Sequence, residues 1–341
     1  MAMDNNSNVV AHAGWKSKAL ITMLSAIVII SLLGPMMCGP DRLVPFSPNQ
    51  SIENATYLSP LSNDDYGNLH VLGTDRYGRD VLSRIIYGSR TALLVGAGTV
   101  VLSFFIALIF GIISGYFGDR TIRFNLVQLS IAILTILIGS FYIRFGDVLV
   151  AVVVGLVGLM SLQYSSRVSI KKYYLPLDTL IIKLIEIVKT IPALFIVISL
   201  FAIFSETSLW SLILILGLIS WPGKARLLRA EVMKTNSTNY IFSARIVGLS
   251  DWVIIKNHLL PNVLSPLIIA CCYTFTGAIL AESTLSFLNV GLPQDIPSWG
   301  GIMRESRDYF SAWWLAVFPG SLLFITILAL NILADRLNDI K

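Results

Sequence analysis

The sequence contains few charged residues: Asp, Glu, Lys and Arg make up 13% of its 341 residues, whereas 55% are hydrophobic. Soluble domains carry about a quarter charged residues, so this composition excludes an ordinary soluble chain and favours lipid as the surrounding medium. The formal net charge is +5, but the basic residues lie at the ends of apolar segments, as membrane topology requires. We therefore predict membrane lipid as a partner and no nucleic acid.

Cysteine is also scarce, with only Cys38, Cys271 and Cys272. The adjacent pair lies inside an apolar run and no CxxC spacing occurs, so neither a disulfide framework nor a cysteine metal site is indicated. The first apolar segment ends near Cys38, but the preceding Pro-Met-Met lacks the small residues that precede a lipoprotein cysteine. We interpret this segment as an uncleaved membrane anchor.

Motifs of catalytic and nucleotide-binding sites are absent as well. The sequence has no GxxxxGK[ST] phosphate loop, no HExxH zinc motif and no GxSxG nucleophile elbow. Its three histidines, His12, His70 and His258, are too scattered to build a metal site by themselves. We predict that the chain is not an enzyme and that it holds no catalytic residue, cofactor or metal of its own.

Long apolar segments, by contrast, recur along the chain. A helix of about 20 apolar residues crosses roughly 30 Å of hydrocarbon, and eight segments qualify, so we predict an all-α integral membrane protein. Residues 74–90, before the second segment, have the pattern of an amphipathic helix at the membrane interface. The approximate bounds of the eight spans are 19–37, 91–117, 125–143, 148–164, 177–204, 208–221, 264–288 and 313–333.

Prolines are expected to shape the fifth and sixth spans. Pro192 should bend the fifth, and Pro222 with Gly223 should break the sixth. The first half of the fifth span also carries three charges that recur every three residues and so share one helical face. Because a charge at the bilayer centre costs about 2.5–3.5 kcal/mol, we place this face at the interface or against protein. The three charged residues are Lys183, Glu186 and Lys189.

The distribution of Lys and Arg predicts an orientation. When the N-terminus is placed in the cytoplasm, the cytoplasmic side carries about twice as many of these residues as the other side. Both termini and residues 222–262 then lie in the cytoplasm.

The most informative segment is 240–261, YIFSARIVGLSDWVIIKNHLLP, a polar and basic stretch between two apolar spans. It predicts two short helices separated at Gly248, which can end the first by adopting a positive φ, while Ser250 can cap the second. Ile241, Ala244 and Gly248 share one helical face, and small residues allow a partner to approach closely. The pattern favours docking of a soluble partner; the alternative is an amphipathic helix lying on lipid.

Glu282 is the one carboxylate well inside an apolar context. A carboxylate within a membrane span is a functional candidate, here for a translocation path. The alternative is a solvated position near the outer interface.

Three patches of the sequence resemble a known family. They are residues 70–90, HVLGTDRYGRDVLSRIIYGSR; residues 239–262; and residues 278–301, AILAESTLSFLNVGLPQDIPSWGG. Together they are similar to the permease subunit of the peptide and nickel class of ABC importers, the OppC/DppC type. The resemblance covers the chain except for about 118–176, and it implies a six-helix type I importer core in a bacterial inner membrane.

The resemblance also implies partners and a coupling site. The partners are a homologous OppB/DppB-type permease subunit, two ATPase subunits that bind ATP and Mg, an extracytoplasmic substrate-binding protein and a peptide substrate. A cytoplasmic EAA loop docks in a groove of the ATPase. The family's acidic residue falls at Phe242, so an acid is missing here and we expect a more apolar groove. The other matching positions are Ser243, Ala244, Arg245, Gly248 and Leu260-Pro261.

Within the first patch, Gly73 and Gly78 permit turns, and Asp75, Arg79 and Asp80 can pair locally. An exposed pair is worth at most about 1 kcal/mol. Two interpretations stay open for this patch: a solvated interfacial helix leading into the second span, or a contact with the binding protein.

An insertion separates this chain from the family pattern. The match stops near Asp119 and resumes near Leu177, with two predicted spans between them. Since two extra spans preserve the downstream orientation, we predict six family spans plus an inserted two-helix hairpin; the alternative is a re-entrant or interfacial hairpin. The predicted organisation is a cytoplasmic N-terminus and first span (1–41), an extracytoplasmic loop (42–90), a permease domain (91–341) interrupted by the insertion (about 120–176), and a coupling loop (235–262).

A second function class also fits a polytopic membrane protein. An ion-driven secondary transporter or channel would act without an ATPase and would use buried ionisable groups and inverted repeats. Such charges are scarce here and no repeat is evident. A third possibility is an assembly or scaffold protein.

Overall fold

The computed structural model describes residues 44–119, 148–167, 176–203 and 208–339. It also describes short runs at 28–34, 38–39, 123–125, 134–136, 138–142 and 172–174, and single positions at 22, 25, 36 and 131. The regular structure of these residues is almost entirely helical, which confirms the predicted all-α class.

Ten helices are described, and two of them contain a wider π-helical stretch. Helix α1 (Val81–Ile112) continues as a π-helical turn, Ile113–Phe117, and α7 (Asp251–Val253) continues through a π-helical segment, Ile254–Leu259, into α8. The others are α2 (Val148–Arg167), α3 (Leu177–Thr190), α4 (Ala193–Ile203), α5 (Leu209–Asn236), α6 (Asn239–Ile246), α8 (Leu260–Phe287), α9 (Trp299–Glu305) and α10 (Trp314–Asp339).

Four helical segments of the described part are long and apolar enough to cross a membrane, or five if the bent pair α3–α4 forms one span. The prediction of eight spans is not confirmed. Predicted spans 19–37 and 125–143 lie largely outside the described residues, and α2 contributes only the shorter apolar stretch Val152–Ser161. The four long segments are Val81–Phe117, Leu209–Asn236, Asp251–Phe287 and Trp314–Asn338.

The predicted bend at Pro192 is confirmed: α3 and α4 meet at an angle of 84°. Proline disfavours helical geometry in the residue before it, and Ile191 is extended, with φ −86° and ψ 125°. The three charged residues of α3 are exposed, while Ile181 and Ile185 on the opposite side are buried. The shared face that the charge spacing predicts is therefore present.

Two predicted boundaries are wrong. No separate interfacial helix covers 74–90, because α1 begins at Val81, where the Asp80 carboxylate accepts a hydrogen bond of 2.8 Å from the backbone N–H of Ser83. Helix α5 also runs unbroken through Pro222, a buried residue. The close packing of α5 on α1 offsets the cost of that proline: a Cβ on Gly217 would lie 2.6 Å from Leu102.

At one end of the bundle, segment 44–80 folds over α9; we call this the α9 end. Strands β1 (Ser62–Asn63) and β2 (Leu69–His70) form a small antiparallel hairpin there. Beneath it, the Arg79 side chain donates to Asp75 at 2.6 Å and to Glu305 at 3.0 Å. Burial raises the pKa of the Glu305 carboxyl, the neighbouring Asp75 raises it further, and Arg79 and Arg84 lower it.

This network corrects the expectation for the GTDRYGRD patch. Asp75 and Arg79 pair with each other, whereas Asp80 contacts His70, and all three residues are buried rather than exposed. They lie neither on a solvated helix nor on an accessible surface, because segment 44–80 and the residues around α9 close over them. Arg79 joins the two segments through its contact with Glu305.

The insertion begins at a second polar connection. The Asp119 carboxylate accepts hydrogen bonds from the backbone N–H of Thr179 at 2.9 Å and from its hydroxyl at 2.6 Å, which brings the two flanks together. Strands β3 (Arg123–Asn125) and β4 (Lys172–Tyr174) then pair antiparallel, a feature that the sequence analysis missed. Further out, α2 packs against the helical residues around Thr135, whose hydroxyl would collide with a Cβ on Gly158.

Candidate functional site

Residues 239–253, which we call the α6–α7 loop, form two short helices at the end of the bundle opposite α9. The predicted separation at Gly248 is confirmed, since Gly248 has a φ of +85°. The N–H of Leu249 donates to the carbonyl of Ala244 at 3.2 Å, and that of Gly248 to Arg245 at 3.0 Å. This is the Schellman arrangement, which satisfies the last carbonyls of α6.

The inner side of the loop is buried. Ile241 is fully buried and Ala244 nearly so, in an apolar cluster that closes the end of the bundle. The expectation that these two residues face a partner therefore differs from the structure: they shield the cluster from water. We call this the inner cluster; its buried members are Tyr116, Leu228, Val232, Ile241, Ala244, Ile254, Ile255, Leu259, Val263 and Leu267.

The outer side of the loop is apolar and exposed. The exposed fractions are 64% for Phe242, 79% for Val247 and 71% for Trp252. Large exposed apolar patches mark interaction sites on proteins. Sequence reasoning selected Phe242 but missed the others, although Phe242 and Ile246 recur at the helical spacing i, i+4. We call this set the outer face: Phe242, Ile246, Val247, Leu249 and Trp252.

The remaining predicted positions of the loop are polar and make local contacts. Ser243 is exposed and its hydroxyl donates to the carbonyl of Asn239 at 3.0 Å. The guanidinium of Arg245, also exposed, donates to the side chain of Asn236. Both residues lie beside the outer face without being part of the inner cluster.

The start of α7 differs from the prediction. Ser250 occupies the N-cap position, but its side chain makes no capping hydrogen bond. Asp251 instead accepts a hydrogen bond of 2.6 Å from the hydroxyl of Tyr116, in the π-helical turn of α1. The guanidinium carbon of Arg245 lies 5.3 Å from the centroid of the same tyrosine ring.

Pro261 is exposed in the first turn of α8, directly after the π-helical segment. Proline lacks an N–H and collides with the carbonyl four residues earlier in a regular helix, so a wider turn before it relieves the clash. The chain therefore returns to the bundle from Asp251 in one continuous helical segment of 37 residues, rather than after Pro261.

A polar junction lies beside the loop. Arg229 of α5 donates from Nε and Nη2 to the two carboxylate oxygens of Asp178 in α3. Ser114, in the π-helical turn of α1, donates to the same carboxylate. Three helices that precede the α6–α7 loop are thus tied together close to it.

Glu282 is completely buried near the α9 end, which rules out the solvated alternative. Its carboxylate accepts hydrogen bonds from Ser286 at 2.8 Å and from Ser283 at 3.2 Å. Helix α9 packs closely here, since a Cβ on Gly300 would collide with the carbonyl oxygen of Ser283. The assignment of Glu282 to a translocation path stays a prediction. Among the described residues, no group of three or more His, Cys, Asp or Glu could hold a metal ion.

Comparison with known proteins now identifies the class. The family model described as "binding-protein-dependent transport system inner membrane component" matches residues 171–340, which include α3 to α10 and the α6–α7 loop. The chain belongs to this family. It is therefore a multi-pass permease subunit of an ABC importer, as the sequence resemblance implied.

Curated relatives extend the similarity to nearly the whole permease. The dipeptide transport system permease protein DppC of Haemophilus influenzae is 29% identical over 324 residues, 94% of this chain and 88% of the relative. The di/tripeptide permease DppC of Pseudomonas aeruginosa is 26% identical over 330 residues, 96% and 88% of the two chains. The oligopeptide permease OppC of H. influenzae is 26% identical over 322 residues, 94% and 82%.

Proposed function

We propose that this permease forms half of the translocation path of an importer for short peptides in a bacterial inner membrane. Its partners are an OppB/DppB-type permease subunit, two ATPase subunits and an extracytoplasmic binding protein, and both of its termini are cytoplasmic. The names of its relatives, which are dipeptide and oligopeptide permeases, support the substrate class. The chain belongs to the family that supplies permease subunits, which supports the set of partners.

The observation that carries the proposal is the outer face of the α6–α7 loop. A loop beyond the membrane spans that exposes Phe242, Val247 and Trp252 is unfavourable in water unless a partner covers it. The position where the family has an acid is Phe242, which is 64% exposed. We therefore propose that the ATPase groove opposite Phe242 is apolar and that docking here is driven by apolar burial.

In the proposed mechanism, the two ATPase subunits bind ATP and Mg and close, and the loop moves with them. Switching a two-state equilibrium from 1:99 to 99:1 requires about 5.5 kcal/mol, part of which must pass through the loop. The continuous segment Asp251–Phe287 provides a rigid connection from the loop across the bundle to the region of α9.

The test compares Phe242→Asp with Tyr66→Asp in the whole complex. Both side chains are highly exposed, but Tyr66 lies in segment 44–80 at the α9 end. A charge in an apolar groove forfeits the burial of a large side chain, worth about 1.5–3 kcal/mol, so Phe242→Asp should weaken ATPase binding at least tenfold. Tyr66→Asp should retain the ATPase subunits. Equal retention by both variants would overturn the docking proposal.

Substrate class needs a separate measurement. Liposomes containing the full complex should take up labelled di- and tripeptides when ATP, Mg and the binding protein are supplied. Competition by nickel ions without competition by peptides would overturn the peptide proposal. Uptake in liposomes that contain the permease subunits alone and an ion gradient would instead favour the secondary transporter.

A further inference from the structure

We propose that Tyr116 is the joint through which movement of the α6–α7 loop reaches α1, and therefore a positioning residue for transport. The proposal rests on the proposed docking of the ATPase to the outer face. It assigns a task to the phenolic hydroxyl that is separate from the packing of the ring.

Tyr116 contacts both short helices of the loop. Its hydroxyl donates to the carboxylate of Asp251, the first residue of α7, at 2.6 Å. Its ring is covered by the guanidinium of Arg245, at the end of α6, with 5.3 Å from that carbon to the ring centroid. Tyr116 thus contacts both α6 and α7, and residues of these two helices contribute to the outer face.

The two helices of the loop meet at Gly248, where the space that a side chain would occupy is open. Gly248 has a positive φ, and no atom outside its immediate neighbours lies within 4 Å of where its Cβ would be. Packing at Gly248 itself therefore does not set the angle between α6 and α7, which depends on the contacts that each helix makes with the inner cluster and with Tyr116. A movement of the outer face reaches α1 as one unit only if both helices keep these contacts.

Packing between α1 and α7 is also incomplete beside this connection. A cavity of about 590 Å³ separates the two helices, with Ile109 and Ile113 on one side and Trp252 and Lys256 on the other. The hydrogen bond between Tyr116 and Asp251 is therefore a direct polar contact between the end of α1 and α7 beside this cavity.

The π-helical turn that carries Tyr116 is connected on its other side. Ser114 of the same turn donates to Asp178, which is held by Arg229 of α5. A displacement of Tyr116 is therefore shared with α3 and α5. Single-turn π-helices are frequent at functional positions, where the wider turn redirects a side chain.

The experiment removes only the hydroxyl and has a matched control. In the full complex reconstituted in liposomes, Tyr116→Phe keeps the ring in the inner cluster but loses the bond to Asp251. Tyr273→Phe removes a bond of the same kind and length, from the Tyr273 hydroxyl to Asp335 at 2.6 Å, away from the loop. A hydrogen bond to a charged group contributes enough for a change of about tenfold. We expect peptide transport per ATP hydrolysed to fall about tenfold in Tyr116→Phe and to stay near wild type in Tyr273→Phe.

Variants of the acceptor separate positioning from general stability. Asp251→Asn keeps a carbonyl oxygen that can accept from Tyr116, so it should stay near wild type, whereas Asp251→Ala should match Tyr116→Phe. Because both single changes break one contact, the double variant Tyr116→Phe/Asp251→Ala should be no worse than either alone.

Two results would overturn the proposal that Tyr116 transmits movement of the loop to α1. One is an unchanged ratio of transport to ATP hydrolysis in Tyr116→Phe. The other is loss of the ATPase subunits from that variant during purification, which would mean that Tyr116 supports the docking surface instead. Failure of the proposed function has a different signature, namely ATPase subunits that bind Phe242→Asp as well as they bind wild type.

Discussion

At the α9 end of the bundle, Arg79 and Glu305 are buried and paired, whereas at the opposite end the α6–α7 loop exposes Phe242 and Val247. Burying charges is costly unless each finds a partner, and exposing large apolar side chains is costly unless something covers them. The α9 end pairs its buried charges within the chain, although it too exposes large apolar side chains such as Tyr66 and Phe310. At the α6–α7 end, the apolar side chains of the inner cluster are covered, whereas those of the outer face are exposed. The two ends therefore differ in what they bury: paired charges at the α9 end, and an apolar cluster beneath an exposed apolar face at the other end.

The largest effect is expected from a change at the α9 end, where the charged side chains are buried and paired. Arg79→Ala leaves Asp75 and Glu305 buried without their shared cation, and removing one partner of a buried pair costs about 3–5 kcal/mol. We expect a large fall in the melting temperature of the detergent-solubilised permease, or failure to accumulate in the membrane.

Lys234→Ala is the control for that change. Lys234 pairs with Glu231 at 3.8 Å near the α6–α7 end, and its side chain is 79% exposed. Exposed pairs contribute at most about 1 kcal/mol, so its melting temperature should stay close to wild type. Equal losses in the two variants would contradict the view that the α9 end is closed on itself.

The sequence predicted the class and the main turning points of the fold, and it failed where packing decided the outcome. Hydropathy located the four long apolar segments of the described residues, and the rules for proline and glycine gave the bend at Pro192 and the positive φ at Gly248. The same rules predicted a break at Pro222, which tertiary packing against α1 overrides. Pairing of Asp75 with Arg79 was foreseen, but its burial was not, because burial depends on a segment more than 200 residues away.

The second test replaces Gly248 in the α6–α7 loop. A β-branched residue is strained at a φ of +85°, and the left-handed region costs most residues about 1–2 kcal/mol. Gly248→Val should therefore alter the angle between α6 and α7 and abolish substrate-stimulated ATP hydrolysis, while the permease still inserts.

Gly248→Asn is the matched variant, since asparagine tolerates the left-handed region better than other residues and open space surrounds this position. It should retain most of the stimulation. Equal activity of the valine variant and wild type would mean that the geometry of the loop does not matter for coupling.

Only part of the candidate site could be predicted from the sequence. The spacing of Ile241 and Ala244 indicated one helical face, and that face exists, but the sequence could not tell whether it points inward or outward. The inner cluster decides this, because it draws side chains from α1, α5 and α8 that lie far apart in the chain. For the same reason the bond from Tyr116 to Asp251, which spans 135 residues, had no local signal.

The smallest effect is expected at Asp119, where the insertion begins. The pKa of the Asp119 carboxyl is lowered, chiefly by the side-chain hydrogen bond from Thr179 and then by the backbone N–H of that residue. A lowered carboxyl pKa stabilises the folded state above the unfolded value of 3.8, and the contribution is lost as the pH falls through the lower folded value.

Because the Asp119 carboxylate is partly exposed and its hydrogen bonds lie at the surface, Asp119→Asn should change the melting temperature only slightly at pH 7 and still less at pH 3, where the carboxylate of the wild-type protein is increasingly protonated. Proteolysis between 120 and 176 should be faster in the variant at pH 7, since the two flanks of the insertion are less firmly joined. A large loss of stability would instead show that the contact between Asp119 and Thr179 is needed for the packing of the bundle near the α6–α7 end.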